Sequence, residues 1–231
     1  MDEIRPLLAA VLGNPISHSK SPRMHNYWLK QNKLNGYYIP IKVELEDFEE
    51  TIRALVCMGF SGVNVTIPHK LSALKIADES SRTAQYIGAA NTLTFTKENT
   101  IYADNTDGYG FIQNIKSKHK DWTAKDGMSV VFGAGGASRA ILGALIEDGA
   151  NEIVLANRTR SRADQLRSDF GAKIKVVDWM KVQNYLMTDP ILYLSMILGL
   201  GGVYVLIASF NDDDDDSCLL YTSPSPRDEG E

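Results

Sequence analysis

The 231-residue sequence predicts an α/β protein built from two successive units. Two observations carry that prediction. From Leu7 to Ala103, short apolar runs alternate with amphipathic stretches at helical spacing, the pattern of strands and helices layered on a largely parallel sheet. From Met128 the chain starts again: an apolar strand, Ser129–Phe132, runs directly into GAGGAS at 133–138, then a helix and a further strand. That is a β-loop-α-β crossover of the length such a unit needs.

Taken in order, Leu7–Leu12 reads as the first strand, broken by Gly13-Asn14-Pro15. Ser21 and Pro22 read as an N-cap and first helical residue of a helix running to about Gln31. Tyr37–Val43 is the next strand, and Leu45–Met58 a helix that turns Phe48, Ile52, Leu55 and Val56 inward. Gly62–Ile67 is a strand with Val63, Val65 and Ile67 on one face, Asn64 and Thr66 on the other, and Pro68-His69-Lys70 at its end. A helix follows from about Leu71 to Ala77. Thr92–Phe95 and Thr100–Ala103 form a hairpin around Lys97-Glu98-Asn99. Residues 108–125 link the units, Ala140–Glu147 is helical and Glu152–Ala156 is a strand.

After about Tyr185 this rhythm stops. Pro190–Phe210 holds no charge, but it is glycine-rich, lacks a basic flank and runs into Asp212–Asp216, so no membrane span is expected. The stretch from 186 to 231 shows no period-2 or period-3.6 face for the preceding sheet.

A formal net charge of −5 with no basic face argues against a nucleic-acid partner. The opening MDEIRPLLAAVLG has too short an apolar run for a signal peptide, so the cytoplasm is the expected location. The two cysteines, Cys57 and Cys218, suggest neither a disulfide framework nor a zinc site, and no metal is expected. A homodimer stays open.

Three groups of residues carry chemistry. In the Gly-rich loop, Gly133 permits a tight turn, Gly135 lets a pyrophosphate approach the backbone, and Ser138 stands where a third glycine often sits. Its place between a strand and a helix is the context such a motif requires. At the end of the next strand, an NAD site would carry an acid. Here Asn157, Arg158 and Thr159 stand instead, with Arg162 one turn further. Guanidinium groups match a phosphate bidentately, which points to the 2′-phosphate of NADP. The third group is polar and neutral apart from one lysine and one acid: Ser19 and Ser21 after the first strand, Asn64, Thr66 and Lys70 around the third, then Asn91 and Asp107. Such donors and acceptors suit a polyhydroxylated small molecule, and a lysine near a carboxylate can exchange a proton with a reacting oxygen. Spacing alone does not assemble them into one site.

Six motifs do. GNPISHSKSPRMHN, GVNVTIPHK, IGAANTL, DNTDGYGF, GAGGASRA and NRTRSRA occur in the order found in shikimate dehydrogenases, which the chain resembles from about residue 7 to about residue 179. The resemblance implies an N-terminal α/β substrate domain over 1–107, then an incomplete Rossmann-type NADP-binding domain over 108–185. It implies reduction of 3-dehydroshikimate to shikimate with NADPH, in aromatic amino-acid biosynthesis. Ser19, Ser21, Asn64, Thr66, Lys70, Asn91 and Asp107 match the family's substrate-binding positions, and Lys70 and Asp107 its catalytic pair. Gly133, Ala134, Gly135, Gly136 and Ala137, with Asn157, Arg158, Thr159 and Arg162, match its NADP-binding segments. A quinate/shikimate dehydrogenase preferring NAD, and an inactive ligand-binding fragment, are the alternatives. Beyond about residue 180 the resemblance is expected to stop, and SCLLYTSPSPRDEGE reads like a translated sequencing adapter. Residues 186–231 are therefore expected to be a non-native tail left by truncation or frameshift near residue 185.

Overall fold

The computed structural model describes residues 5–125 and 127–181, and the backbone of two strands, 192–197 and 203–208. The chain divides into two compact units, Met1–Asp107 and Gly108–Glu231.

Unit 1 contains β1 (Leu7–Gly13), α1 (Ser21–Gln31), β2 (Gly36–Lys42), α2 (Phe48–Cys57), β3 (Gly62–Val65), α3 (Lys70–Ile76), β4 (Glu79–Ser80), α4 (Arg82–Ile87), β5 (Thr92–Phe95) and β6 (Ile101–Asp104). They form a six-stranded sheet in the order β2-β1-β3-β5-β6-β4. Phe48, Ile52 and Leu55 of α2 pack against Leu12, Val63, Val65 and Leu93 of the strands, and this apolar layer is the core of the unit.

The sheet is largely parallel, as expected: β1 runs parallel to β2 and β3 and β4 to β6, while β5 is antiparallel to both β3 and β6. The five residues between β5 and β6 are too few for a parallel crossover, so the hairpin sets the sense of the pair. The N-cap of α1 is Lys20, not Ser21, because Ser21 already has helical backbone and its N–H donates to Ser19 Oγ at 3.3 Å. β3 stops at Val65, which leaves Ile67 36% exposed rather than facing the core. The short α4 and β4 were not legible, since α4 buries only Ala84 and Ile87, too few for a visible period. Ser81 caps α4, accepting the Ala84 N–H at 3.0 Å, and Gly88 ends it in the left-handed region at φ 72°.

Unit 2 contains α5 (Asp107–Lys118), β7 (Ser129–Phe132), α6 (Gly136–Glu147), β8 (Ile153–Ala156), α7 (Arg160–Phe170), β9 (Ile174–Val177), β10 (Leu192–Ile197) and β11 (Val203–Ala208), with the first residue of α5 still in unit 1. Its sheet runs β10-β11-β7-β8-β9. β7, β8 and β9 are parallel, as a β-loop-α-β unit demands. Gly108 lets α5 approach α6 closely: a Cβ there would stand 2.6 Å from the Ala140 carbonyl.

Although the sequence after Tyr185 shows no periodic face, two strands from that stretch join this sheet. β10 and β11 pair antiparallel, and β11 pairs antiparallel with β7, Tyr204 opposite Phe132. An uncharged run beside an open strand edge has both the hydrogen-bonding groups and the apolar character to extend a sheet. The remainder of 186–231 lies outside the described residues. Among the described residues, no helix is long and apolar enough to cross a membrane.

Candidate functional site

The strand register of unit 1 gathers the polar residues. β1 lies beside β3 with Val11 opposite Asn64, and β3 lies antiparallel to β5 with Asn64 opposite Thr92. β5 in turn is antiparallel to β6, with Thr92 opposite Asp104. The ends of β1, β3 and β6 and the start of β5 therefore share one edge of the layer. Lys70 opens α3 just beyond β3, and Asp107 opens α5 just beyond β6. Thr66, past the end of β3, donates its N–H to the Leu12 carbonyl at 2.9 Å. That contact needs Gly13, because a Cβ there would lie 2.5 Å from Thr66 Cγ2.

At this edge Lys70 Nζ donates to Asp107 Oδ2 at 2.5 Å, with side chains 13% and 31% exposed. Asn91 is buried beside them. Its Nδ2 donates to Asp107 Oδ1 at 2.7 Å and to Thr106 Oγ1 at 3.0 Å, while its Oδ1 accepts from the Thr106 N–H and the Thr92 hydroxyl, each at 3.0 Å. Asn105, also buried, accepts the Asp107 N–H at 3.1 Å and donates to the Ala89 carbonyl at 2.8 Å. Asn64 Oδ1 accepts from the Tyr38 hydroxyl at 2.7 Å, and its Nδ2 donates to Thr92 Oγ1 at 3.2 Å. The predicted residues Asn64, Lys70, Asn91 and Asp107 thus belong to one hydrogen-bonded cluster, with Thr66 at the neighbouring strand end. Ser19 and Ser21 sit at the start of α1, and no hydrogen bond among the described residues ties their hydroxyls to that cluster.

Several participants were not singled out in the sequence: Tyr38, Thr92, Asn105 and Thr106. The last three lie inside the IGAANTL and DNTDGYGF motifs, a signal that could have found them. Tyr38 had only its place in a strand. Its phenol is buried, and burial pushes its pKa up, so the hydroxyl stays protonated as a donor. His69 is another. It is fully buried, stacked on Phe48 with ring centroids 4.6 Å apart, and its Nε2 lies 2.9 Å from the Val43 carbonyl. That contact makes Nε2–H the donor, and burial pushes the imidazole pKa down. A groove of about 400 Å³ borders the cluster along the strand bodies, where Tyr38, Asn64 and Thr92 meet Trp28, Leu29 and Leu34.

In unit 2 the register places Phe132 opposite Ala156, so the loops after β7 and β8 emerge side by side. Gly133 adopts φ 105°, which a side chain would resist, and its N–H donates to the Ala156 carbonyl at 2.8 Å. The helix α6 begins at Gly136, four residues before the predicted start at Ala140, because the loop residues themselves form its first turn. A Cβ at Gly135 would meet nothing within 4 Å, so the space before the helix amides is open. Arg158, Thr159 and Arg162 are exposed, and Asn157 Nδ2 donates to the Thr159 carbonyl at 2.7 Å. Arg160 pairs with Asp164 at 3.6 Å, whereas Arg158 and Arg162 enter no ion pair among the described residues. Open space before a helix N-terminus, beside two uncommitted guanidinium groups and no acid, fits a phosphorylated dinucleotide. No group of three or more metal-ligating side chains occurs among the described residues.

Comparison with known proteins bears on this arrangement. The model of the shikimate dehydrogenase substrate binding domain matches residues 11–93, and that of shikimate/quinate 5-dehydrogenase matches residues 114–197. The second match carries the likeness past residue 180, where the sequence motifs ended, and corrects that expectation. A shikimate dehydrogenase (NADP(+)) of Roseobacter denitrificans is 49% identical over 204 residues, 88% of this chain and 74% of the relative. The solved shikimate dehydrogenase of Aquifex aeolicus superposes with a TM-score of 0.70 at 34% identity, over 77% of this chain. This chain spans only 64% of that structure's length. The shikimate 5-dehydrogenase of Thermus thermophilus, solved in complex with NADP(H) and shikimate, gives a TM-score of 0.66 at 35% identity, covering 76% of this chain and 69% of its own.

Proposed function

We infer that this chain, which belongs to the shikimate dehydrogenase family, carries the residues for interconverting 3-dehydroshikimate and shikimate with NADP(H), a step in aromatic amino-acid biosynthesis. The observation that carries this reading is the Lys70–Asp107 pair, 2.5 Å apart at the shared strand edge of unit 1.

When bound, NADPH supplies the hydride that adds to the substrate's C3 carbonyl carbon. The chain's own part is the proton. Lys70 donates it to the C3 oxygen as negative charge develops there, and Asp107 orients and offsets the ammonium. Asn91 and Asn105 hold Asp107 from its side chain and its backbone, so the pair is preorganised before substrate arrives. Ser19, Ser21, Asn64, Thr66 and Asn91 surround the ring hydroxyls and carboxylate as neutral donors and acceptors. On unit 2, Gly133, Ala134, Gly135, Gly136 and Ala137 bring the α6 amides to the pyrophosphate. Asn157, Arg158, Thr159 and Arg162 hold the 2′-phosphate.

The direct test is the chain mixed with shikimate and either NADP or NAD, followed by the absorbance of the reduced nicotinamide. Turnover with NADP well above NAD is expected. Turnover with NAD alone would move the chain to the NAD-preferring quinate/shikimate class. A second reading of the same residues is ligand binding without turnover. Shikimate binding by calorimetry with no nicotinamide reduction would establish it.

A further inference from the structure

We propose that Tyr38 is a positioning residue for the Lys70–Asp107 pair, acting through a one-way relay of side-chain hydrogen bonds that runs from β2 to the start of α5. The proposal rests on the reading of Lys70 and Asp107 as the proton-transfer pair. The relay can be followed atom by atom. The Tyr38 hydroxyl donates to Asn64 Oδ1 at 2.7 Å, and Asn64 Nδ2 donates to Thr92 Oγ1 at 3.2 Å. The Thr92 hydroxyl donates to Asn91 Oδ1 at 3.0 Å, and Asn91 Nδ2 donates to Asp107 Oδ1 at 2.7 Å. The other carboxylate oxygen takes Lys70. Every link donates toward the carboxylate, so each polarises the next in the same sense.

Such a relay needs something to set its direction. Asn91 is fixed locally, since the Thr106 N–H can only donate to its Oδ1 and the Asp107 carboxylate can only accept from its Nδ2, but the Asn64 amide could turn either its oxygen or its NH₂ to Thr92. Turned half round, Asn64 would accept the Thr92 hydroxyl, and Asn91 would lose that donor. Two contacts set the Asn64 amide: the Tyr38 phenol, whose hydrogen reaches Oδ1 at 2.7 Å, and the longer reach of Nδ2 to the Asn91 backbone carbonyl at 3.5 Å. The ring is itself held on three sides. Asn26 clamps the Tyr38 backbone from both directions, donating to its carbonyl at 2.8 Å and accepting its N–H at 2.9 Å. His25 stacks on the ring with centroids 4.1 Å apart at 10°. Val11 and Ile16 pack with it in a small buried cluster. Few reasons other than aim explain so much constraint on one hydroxyl.

Two variants of the full chain test this. Tyr38→Phe removes only the hydroxyl, and Thr92→Val cuts the relay two links further on with nearly the same shape. In ¹⁵N-labelled protein, both are expected to shift the Asn91 side-chain amide signals, although Tyr38 does not bond Asn91. In kinetics, each is expected to lower kcat for shikimate about tenfold, the size of one lost hydrogen bond, with KM for NADP unchanged. Because the links are in series, the double variant should be no slower than the slower single one. Unmoved Asn91 signals in Tyr38→Phe, or kcat losses that simply multiply, would overturn the relay. If the wild-type chain shows no turnover at all, the proposed function fails on its own, and the Asn91 signals still decide this inference.

Discussion

The two sheets of this chain end in sites built on opposite principles. At the edge of unit 1, side chains hold other side chains: Asn91 and Asn105 fix Asp107, Asp107 fixes Lys70, and Tyr38 fixes Asn64. At the edge of unit 2 the backbone presents its free groups, through the turn at Gly133 and the open first turn of α6, while Arg158 and Arg162 enter no ion pair among the described residues. The difference suits the task proposed for each end. A proton donor has to meet a reacting oxygen within a few tenths of an ångström, so it needs support around it. A phosphate is a diffuse, strong anion, and aimed amides with mobile cations suffice for it.

The sharpest way to break that contrast is Lys70→Ala. If Lys70 transfers the proton, kcat should fall about 10²- to 10⁴-fold with a much smaller change in KM, read by steady-state kinetics in the oxidation of shikimate, where the lysine takes the proton. A near-normal kcat would make the tightly held edge a structural knot only. On the open edge, Arg158→Ala should weaken NADP by about ten- to a hundredfold, on the order of 1.5–3 kcal/mol, and leave NAD almost unchanged in calorimetry. Equal losses for both cofactors would remove the 2′-phosphate from its surroundings.

A pair of glycine substitutions sharpens the comparison. Gly13→Ala places a Cβ 2.5 Å from Thr66 Cγ2 and 3.1 Å from the Ile67 carbonyl, so unfolding in urea should become easier by about 1–3 kcal/mol. Gly135→Ala meets nothing within 4 Å, so stability should stay within about 0.5 kcal/mol. NADP affinity should nonetheless drop, since the methyl group fills the space a pyrophosphate needs. Equal destabilisation by the two would contradict the close-packed and open descriptions.

The smallest expected effect is a pH dependence. Burial holds the His69 pKa below its ordinary 6.5, so the unfolded chain takes up a proton that the folded chain resists. Its contribution to stability is therefore whole above about pH 6.5 and is lost progressively as the pH falls below that. His69→Phe can keep the stack on Phe48 but abandons the Val43 carbonyl, so it should be somewhat less stable than wild type near neutrality. The gap should narrow by about pH 5.5 in thermal melts. A gap that widens on acidification would mean that His69 is not held neutral.

The alternation of strands and helices, and the strand ends where polar residues collect, were determined by sequence alone. Residue period, apolar runs and turn formers act over a few neighbours, and they place Gly13, Lys70, Asp107 and Gly133 at element boundaries without knowledge of the fold. The antiparallel pairing of β5 with β3 and the pairing of β11 with β7 came only with the tertiary structure. So did the partners of Tyr38, Asn91 and His69. Tyr38 meets Asn64 across 26 positions and Lys70 meets Asp107 across 37. Contacts at that separation exist only once strand register is settled, and register is decided by which faces pack together in the core. A tyrosine in an edge strand looks the same in sequence whether its hydroxyl faces water or reaches an asparagine two strands away; the strand order makes the difference.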